Sequence, residues 1–286
     1  MKQLQQRAQV LIEALPYIQK WAGQTIVIKY GGSVMTDPAL QAMVAQDLAL
    51  LRYVGVCPVV VHGGGPQVSE MMRRLGKEPE FIEGCRVTDA ETMSIAQMVL
   101  VGTINQELVS AINTAGARAI GLSGKDANLI VACKKESSVG DLGQVGEVVS
   151  VDRAAIDLLT SHGYVVVISS IGVGAGGESY NINADTVAGD IAVALEAVKL
   201  VVLSDVPGVL HDPADPETLI SELTLEQAQT ALTDGTVSGG MIPKLQSVIR
   251  VVESGVPFAH LISGGTPHAL LMELFTDQGV GTMIRR

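Results

Sequence analysis

Two apolar segments of this chain end in glycine-rich turns, and this pattern constrains the fold more than any other feature. Residues 25–30 run into Gly31-Gly32, and residues 57–62 run into Gly63-Gly64-Gly65. Each segment reads as a buried parallel strand, a turn without side chains and then a helix. Backbone N–H groups and a helix N-terminus can approach an anion closely in such a turn. Two turns of this kind on neighbouring strands predict a phosphate held between two sets of donors.

Strand-like and helix-like segments alternate along the rest of the chain. Aliphatic side chains must form the core, because 47% of the residues are hydrophobic and only 3% are aromatic. Repeated βα units predict an α/β fold, a three-layer αβα sandwich with a mostly parallel open sheet, preceded by an N-terminal helix. The predicted strands are 25–30, 57–62, 117–122, 164–170, 198–203 and 257–263, with a hairpin at 128–134 and 144–150. The predicted helices are 37–54, 66–76, 89–114, 152–162, 183–196, 224–232, 242–253 and 267–275.

The N-terminal segment predicts an amphipathic helix with one apolar stripe. The stripe consists of Leu4, Ala8, Leu11, Leu15, Ile18 and Trp21. We expect Pro16 to kink or divide this helix. The segment lacks the continuous apolar core of a signal peptide, and we find no apolar run of the ~20 residues that a membrane-spanning helix needs. We therefore expect no contact with a membrane.

Standard nucleotide-binding fingerprints fit poorly. Gly124-Lys125 is the nearest candidate for a Walker A motif, but Ala119 stands at the leading position and Asp126 follows the lysine. The segment 172–177 matches Gly-x-Gly-x-x-Gly, yet no apolar helix start follows it, so the match is weak. We interpret this segment as a mobile loop near a lobe boundary at 172–182, and a dinucleotide site is a minor alternative.

Charge and ligand spacing exclude several classes of site. The net charge of −11 and the lack of a dense Lys/Arg run argue against nucleic-acid binding and favour a cytosolic protein. The cysteines Cys57, Cys85 and Cys133 are odd in number and widely spaced, which indicates reduced thiols. The histidines lack the spacing of zinc ligands, so we predict no zinc site and assign no protein residue firmly to a metal.

Two lysines stand beside glycine turns. Lys29 lies at the end of the first strand, where it is either a surface residue or a phosphate ligand, and Gly31-Gly32 favours the second interpretation. Lys244 follows Gly239-Gly240 in the first turn of a predicted helix. A lysine there opposes the helix dipole, which an anionic partner would explain.

Arg86 and an Asn-Asn-Asp segment are candidates for substrate recognition. Arg86 precedes a helix that Thr88 or Asp89 could cap, and its guanidinium suits a carboxylate, although a surface arginine is equally consistent with the pattern. In Asn181-Ile182-Asn183-Ala184-Asp185, capping explains one polar group but not all three. Asp185 could hold the lysines in place or bind magnesium through oxygen or water.

No nucleophile with a base partner is evident. We find no Ser-His-Asp or Cys-His arrangement, and we interpret His62 as a hydrogen-bonded residue at a strand end rather than as a base. A kinase that acts on a carboxylate needs no general base, because its acceptor is already ionised at neutral pH. Positioning and charge neutralisation would then suffice.

Six motifs together resemble the amino-acid kinase family over essentially the whole chain. They are residues 28–33, 61–66, 86–88, 180–185, 203–208 and 239–244. The resemblance implies the amino-acid kinase fold and phosphorylation by ATP, with Mg²⁺, of the side-chain carboxylate of N-acetyl-L-glutamate in arginine synthesis. It also implies a substrate-binding and dimerisation lobe at 23–180 and a nucleotide-binding lobe at 181–286.

The resemblance also assigns roles to matching positions. Lys29 and Lys244 would stabilise the migrating phosphoryl group, with Asp185 orienting both. Backbone N–H groups of Gly31, Gly32 and Gly64 would bind phosphate oxygens or the acceptor. N-Acetylglutamate would be bound by Gly64, Gly65, Arg86, Asn181 and, with weaker support, Asn183. The nucleotide pocket would be lined by Ser204, Asp205, Val206 and Gly208.

Regulation is a further implication of the resemblance. The predicted helix at 1–22 is similar to the oligomerisation helix of an arginine-inhibited branch, in which such helices interlace three dimers into a hexamer. Candidate arginine ligands are Tyr17, His260, Glu273 and Gly281. In photosynthetic organisms a similar enzyme binds the PII signalling protein, and this sequence alone does not establish that partner.

Alternatives to this interpretation remain within and outside the family. The acceptor could be carbamate, aspartate, glutamate or UMP, although Arg86-Val87-Thr88 with Asn181-Ile182-Asn183 favours N-acetylglutamate. The chain could also be a catalytically silent arginine-sensing scaffold. Retention of Lys29, Lys244 and Asp185 argues against that alternative.

Overall fold

An eight-stranded, mostly parallel sheet organises the molecule. The structure is a computed structural model and describes residues 1–212 and 214–286. The strand order is β12-β14-β13-β11-β1-β2-β8-β5, and β13 and β14 are antiparallel neighbours. The strands of this sheet are β1 Thr25–Tyr30, β2 Cys57–His62, β5 Arg118–Ser123, β8 Tyr164–Ser169, β11 Lys199–Ser204, β12 Glu222–Thr224, β13 Phe258–Ser263 and β14 Thr282–Arg285.

Helices cover both faces of this sheet. Alternate residues of a strand face opposite layers: Val27 packs with the helices on one face, whereas Ile26 and Ile28 pack with the helices on the other. The α/β three-layer sandwich predicted from sequence is therefore confirmed. The helices are α1 Lys2–Trp21, α2 Pro38–Tyr53, α3 Gly65–Arg74, α4 Ala90–Gln97, α5 Asn105–Thr114, α6 Ala154–Ser161, α7 Ala184–Ala194, α8 Leu225–Ala231, α9 Met241–Glu253 and α10 Ala269–Phe275.

The two proposed lobes occupy opposite halves of the sheet. Strands from residues 23–180 form the half that ends with β5, and strands from residues 181–286 form the half that ends with β12. The halves meet where β1 pairs with β11 over four residue pairs. The main sheet is thus continuous from one half to the other.

A small second sheet corrects the prediction for the glycine-rich segment 172–177. Its order is β10-β9-β6-β7 (β6 Ile130–Lys134, β7 Gly146–Val151, β9 Ile171–Val173, β10 Ser179–Asn181). The predicted hairpin of β6 and β7 is confirmed. Residues 172–177 were predicted to be a loop, but they begin in β9 and turn back antiparallel into β10. Because a strand rather than a helix follows the glycines, the dinucleotide alternative is wrong.

Residues 90–114 form one continuous helical segment with a change of winding. Between α4 and α5 the residues Met98–Ile104 are π-helical. This segment is long and apolar enough to cross a membrane by length and composition alone, but 44% of its most apolar window is buried within the protein. Because core helices pass the same test, it is weak support for a membrane span.

The first helix and one short hairpin differ from the sequence prediction. Helix α1 runs continuously through Pro16 instead of dividing there. Only its C-terminal end packs on the protein through Trp21, whereas Leu4, Leu11 and Leu15 of the apolar stripe are exposed. The short strands β3 Phe81–Ile82 and β4 Cys85–Arg86 form an unpredicted hairpin. They are too brief to show a period-two pattern.

Candidate active site

The carboxyl ends of three neighbouring parallel strands bring the predicted site residues together. Lys29 at the end of β1 stands in register with Val61 of β2 and Val202 of β11. From β1 the chain first fills one side of the sheet and later returns to fill the other. Ligands of open α/β sheets bind at such a switch in strand order, beyond the carboxyl ends.

A cleft of about 800 Å³ opens at this edge of the sheet. Its lining includes nine predicted residues: Lys29, Gly31, Gly32, Gly64, Gly65, Arg86, Asn181, Asn183 and Asp185. The sequence motifs from β1, β2, β4, β10 and α7 therefore converge on one space. Lys244, Ser204, Asp205, Val206 and Gly208 are not part of this lining and lie towards the β11 side.

Lys29 and Asp185 form an ion pair in the lining of the cleft. The Lys29 Nζ atom lies 3.2 Å from Asp185 Oδ1, with side-chain exposures of 12% and 25%. The lysine curls back over Gly31, where an added Cβ would lie 2.6 Å from Nζ. The glycine at 31 thus leaves room for the ammonium, and the carboxylate of Asp185 holds it in place.

Gly32 packs the glycine turn after β1 closely against the end of β11. It has φ +77°, and a Cβ there would lie 2.9 Å from the Ser204 carbonyl carbon and 2.6 Å from Asp205 Oδ1. Any side chain would therefore displace backbone as well as adopt an unfavourable φ. This close approach places the candidate phosphate turn directly beside the candidate nucleotide residues.

Lys244 has a different partner from the one predicted. It lies in the first turn of α9, and its Nζ donates to Ser204 Oγ at 2.8 Å. In the described part of the chain Asp185 pairs with Lys29, and Lys244 is held from β11. The arrangement supports the prediction that Asp185 orients Lys29 but does not extend it to Lys244.

The remaining nucleotide candidates follow β11. Asp205 is exposed and Val206 is half-buried. Gly208 has φ +154°, and an added Cβ would lie 2.5 Å from Thr282 Oγ1. Gly208 is therefore required by local packing, and no contact in the structure assigns it to a ligand.

Arg86 also lines the cleft, where its guanidinium is held by several contacts. It is 7% exposed, and its Nη2 donates to Gly65 O and to Ser69 Oγ, both at 2.7 Å. Its guanidinium stacks 4.7 Å from the Phe81 ring centroid. Burial lowers the pKa of Arg86, and nearby Arg73 adds to this effect. A partly desolvated guanidinium of this kind favours an anionic partner.

The two asparagines have separate tasks. Asn183 caps α7, because its Oδ1 accepts from the backbone N–H groups of Asp185 at 2.8 Å and Thr186 at 3.1 Å. Asn181 donates from Nδ2 to Thr88 Oγ1 at 3.3 Å, which ties β10 to the segment after Arg86. Capping thus accounts for Asn183, whereas Asn181 belongs to the wall of the cleft.

Sequence reasoning missed a third glycine turn near the site. Gly264 donates its N–H to Ser204 O at 2.8 Å. A Cβ on Gly264 would lie 3.5 Å from Gly31 O, and one on Gly265 would lie 3.5 Å from Ser33 Oγ. The signal was present, because Ser263-Gly264-Gly265 ends β13 as the other turns end β1 and β2.

The four candidate arginine ligands lie outside the cleft lining, in α1, β13, α10 and the segment between α10 and β14. His260 donates from Nδ1 to Glu273 Oε1, and Glu273 Oε2 accepts from Val280 N at 3.0 Å. Tyr17 donates to Asp277 Oδ1 at 2.5 Å. Gly281 lies against β13, where an added Cβ would be 2.1 Å from Leu261 O.

The arginine ligands predicted from sequence did not include two neighbouring residues, Lys199 and Trp21. Lys199, 5% exposed, lies with its Nζ 4.0 Å from Glu273 Oε1 and 4.9 Å from the Trp21 ring centroid. Burial lowers the pKa of Lys199 to about 8. Burial also lowers the pKa of His260, whose Nε2 has no hydrogen-bond partner among the described residues. Burial alone would raise the pKa of Glu273, but the hydrogen bond and charge of His260, the Val280 N–H and the charge of Lys199 together outweigh it, so the net direction is down.

Comparisons with known proteins agree with this geometry. The family model described as "Amino acid kinase family" matches residues 24–263. The chain is 54% identical to an acetylglutamate kinase from Symbiobacterium thermophilum over 284 residues, covering 97% of each chain. It is 52% identical to one from Thermoanaerobacter pseudethanolicus over 278 residues, covering 97% of this chain and 93% of the relative.

A solved structure with the same fold is N-acetylglutamate synthase from Neisseria gonorrhoeae. Its complex with coenzyme A and N-acetyl-glutamate gives a TM-score of 0.87 at 26% identity, covering 98% of this chain and 63% of the synthase. Its complex with coenzyme A and L-arginine gives 0.81 at 26% identity, covering 97% of this chain and 65% of the synthase. This chain thus spans less than two thirds of the synthase. With its fold, its converging turns and these matches, the chain belongs to the amino acid kinase family.

Proposed function

We propose that this chain transfers the γ-phosphoryl group of ATP to the side-chain carboxylate of N-acetyl-L-glutamate, giving N-acetyl-L-glutamyl 5-phosphate for arginine biosynthesis. The observation that carries the proposal is the arrangement of one cleft. A buried arginine, an ion-paired lysine and two glycine turns line one and the same space. The full-length similarity to acetylglutamate kinases supports the same substrate.

The chemistry follows from the charges that the reaction must accommodate. Arg86 would bind the α-carboxylate, which leaves the side-chain carboxylate pointing towards Lys29. That carboxylate is ionised at neutral pH and attacks phosphorus without a general base. Negative charge on the migrating phosphoryl group would be stabilised by Lys29, by Lys244 and by N–H groups of the glycine turns.

ATP would bind on the β11 side, where Ser204 holds Lys244 and Asp205 lies beside Gly32. In the described residues no group of three or more His, Cys, Asp or Glu side chains could hold a metal ion. This fits Mg²⁺, which binds mainly through substrate phosphates and waters with few protein carboxylates. When bound, the ion would neutralise charge on the β- and γ-phosphates.

An acceptor panel tests this proposal directly. Purified protein, ATP and Mg²⁺ are incubated with N-acetylglutamate, glutamate, aspartate, carbamate or UMP, and ADP release is measured. Hydroxylamine traps an acyl phosphate as a hydroxamate, so it distinguishes carboxylate phosphorylation from ATP hydrolysis. We expect hydroxamate with N-acetylglutamate. A preference for another acceptor would revise the substrate, and inactivity with every acceptor would favour a silent scaffold.

We also propose that arginine inhibits this reaction by binding at Tyr17, His260, Glu273 and Gly281. The Glu273 carboxylate and the buried Nε2 of His260, which has no partner among the described residues, are acceptors that a guanidinium could satisfy. A titration of the wild type and Glu273→Gln with arginine tests this, with activity at saturating substrates as readout. We expect the inhibition constant to rise at least tenfold in the variant. Unchanged inhibition would exclude this site.

A homohexamer built as a trimer of dimers is part of the same proposal. Leu4, Leu11 and Leu15 present an apolar face that is exposed in the single chain, and a second copy of α1 would cover it. We place the reaction in the cytoplasm, in line with the net charge of −11 and the free thiols of Cys57, Cys85 and Cys133.

A further inference from the structure

His62 is fully buried at the end of β2, beside the glycine turn, and it makes two hydrogen bonds. Its Nδ1 lies 2.9 Å from Gly63 O, and its Nε2 lies 3.2 Å from Asn105 Nδ2. A carbonyl oxygen can only accept, so Nδ1 carries the proton. The Asn105 amide nitrogen is identified by two carbonyl acceptors, Val167 O at 3.1 Å and Leu122 O at 3.4 Å, so it can only donate towards Nε2 of His62. The contacts therefore fix one neutral tautomer.

The π-helical winding delivers Asn105 to this position. The backbone N–H of Asn105 donates to Leu100 O, five residues earlier. Such a turn brings residues 100 and 105 towards the same face, whereas α-helical winding at 3.6 residues per turn would rotate them apart by about 140°. Gly121 leaves the space, because a Cβ there would lie 1.8 Å from Asn105 Oδ1.

The same π segment presses on the glycine turn from another side. A Cβ on Gly64 would lie 2.3 Å from Ile104 Cδ1 and 2.6 Å from Leu100 Cδ2. The turn is therefore held by apolar contact at Gly64 and by a hydrogen bond at Gly63. Both restraints originate from one segment of seven residues, Met98–Ile104, and the residue that follows it.

Peptide geometry turns the restraint on Gly63 into a restraint on Gly64. The carbonyl of Gly63 and the N–H of Gly64 belong to one trans peptide unit, in which they point in opposite directions. Because buried His62 holds the carbonyl, the N–H of Gly64 points away from His62. Gly64 lines the cleft.

We propose that the Asn105–His62 pair is a positioning device for phosphoryl transfer: Asn105 sets the tautomer of His62, and His62 holds the Gly63 carbonyl so that the Gly64 N–H faces the reacting groups. His62 itself touches no reacting atom and transfers no proton. This inference rests on the proposed function, since it assigns the donor of Gly64 to the acceptor or to phosphate oxygens.

Two substitutions at His62 distinguish the effect of its hydrogen bond to Gly63 O from the effect of its side-chain volume. His62→Asn keeps an amide donor near the position of Nδ1, whereas His62→Gln places its amide near Nε2 and loses the donor. We expect His62→Gln to lower kcat by ~10- to 100-fold with little change in KM, short of the ~10²–10³-fold loss for outright removal of such a donor. His62→Asn should recover most of kcat, and the same changes at exposed His162 should have no effect.

A spectroscopic measurement on the wild type keeps the proposal testable if a variant fails to fold. Nitrogen-15 spectra of histidine-labelled protein report which ring nitrogen of each histidine carries the proton. We expect His62 to be protonated on Nδ1 alone. An Nε2–H form, or equal loss of kcat in His62→Gln and His62→Asn, would overturn the inference. Wild-type turnover with N-acetylglutamate is measured first, so a wrong substrate is distinguished from a wrong role for His62.

Discussion

At the scale of single residues, the two lysines carry the proposed chemistry from different supports. Lys29 is held by Asp185 and Lys244 by Ser204. We expect Lys29→Ala and Lys244→Ala each to lower kcat by at least ~10²-fold, the effect of losing a preorganised donor to the transition state. Steady-state kinetics with thermal melts measure this. Lys134→Ala, at a half-exposed lysine outside the cleft lining, is the control, and near-normal turnover in a folded Lys29 or Lys244 variant would refute the assignment.

The substitution Arg86→Lys tests whether the acceptor binds beside Arg86 in the cleft. Arg86→Lys replaces a planar fork that contacts Gly65 O, Ser69 Oγ and the Phe81 ring with a point charge. We expect KM for N-acetylglutamate to rise at least tenfold and KM for ATP to change much less, because the fork is lost only at the acceptor end. Arg73→Lys, on the exposed side of α3, is the control. A larger effect on ATP would place Arg86 in the nucleotide site.

Sequence alone located most of these residues but not their partners. Lys29, Gly31 and Gly64 follow from strand-turn-helix order, because parallel strands must present their carboxyl ends on one edge. The contact of Lys244 with Ser204 could not be predicted, since side-chain pairing across 40 residues depends on how α9 packs on β11. For the same reason Lys199 and Trp21 were missed. In the sequence each looks like an ordinary core or surface residue, and their proximity depends on how α1, α10 and β13 pack together.

At the scale of elements, the glycine turn after β2 and the π segment must fit each other. Gly64→Ala would force its Cβ against Ile104 and Leu100, whereas a Cβ on Gly65 meets no atom within 4 Å. We expect Gly64→Ala to cost roughly 1–3 kcal/mol of stability, as overpacking does. Gly65→Ala is the matched control and should melt close to the wild type. Equal melting temperatures for the two variants would contradict the tight packing.

A buried carboxylate links α2 to the start of α10. Asp47 is fully buried, its Oδ1 lies 2.6 Å from His268 Nδ1, and its Oδ2 has no hydrogen-bond partner among the described residues. Burial raises the pKa of Asp47 to about 6, although the hydrogen bond from His268 opposes it. A raised folded pKa stabilises the fold below the ordinary value near 4, and this stabilisation is lost as the pH rises through about 6.

Asp47→Asn should remove this pH dependence. We expect the free energy of unfolding of the variant, relative to the wild type, to increase by roughly 2 kcal/mol between pH 4 and pH 8. Chemical denaturation at several pH values measures the difference, with Asp157→Asn on half-exposed α6 as the control. Parallel curves for the wild type and Asp47→Asn would show that Asp47 titrates normally in the folded protein.

At the scale of the whole molecule, α1 allows the proposed assembly to be tested apart from catalysis. Its C-terminal end is fixed by Trp21, which donates to Leu274 O at 2.8 Å, while its apolar stripe from Leu4 to Leu15 is exposed. Deletion of residues 1–22 should convert a hexamer to a dimer and keep kinase activity. It should also weaken arginine inhibition, because Tyr17 and Trp21 are lost from the proposed arginine site. Light scattering and arginine titrations measure these changes.

A point variant distinguishes the two effects of that deletion. Leu11→Glu leaves Tyr17 and Trp21 in place but puts a charge on the exposed stripe, and we expect it to disrupt the hexamer. Persistence of the hexamer in both proteins would exclude α1 from the interface. A dimer with unchanged arginine inhibition would show that the assembly and the arginine site are independent.

Strands β11 and β13 both run from the proposed arginine site to the proposed nucleotide site. Lys199 begins β11 within the arginine cluster, and Ser204 ends it beside Lys244; His260 lies in β13, which leads into Gly264. The five steps from Lys199 to Ser204, at about 3.3 Å each, make this separation close to 17 Å. A rigid strand can carry a displacement between two ligand sites, so arginine bound as proposed near Lys199 would also shift the Ser204 end of β11. Inhibitor and nucleotide would thus communicate along backbone that each subunit already contains, without a hinge between separate domains.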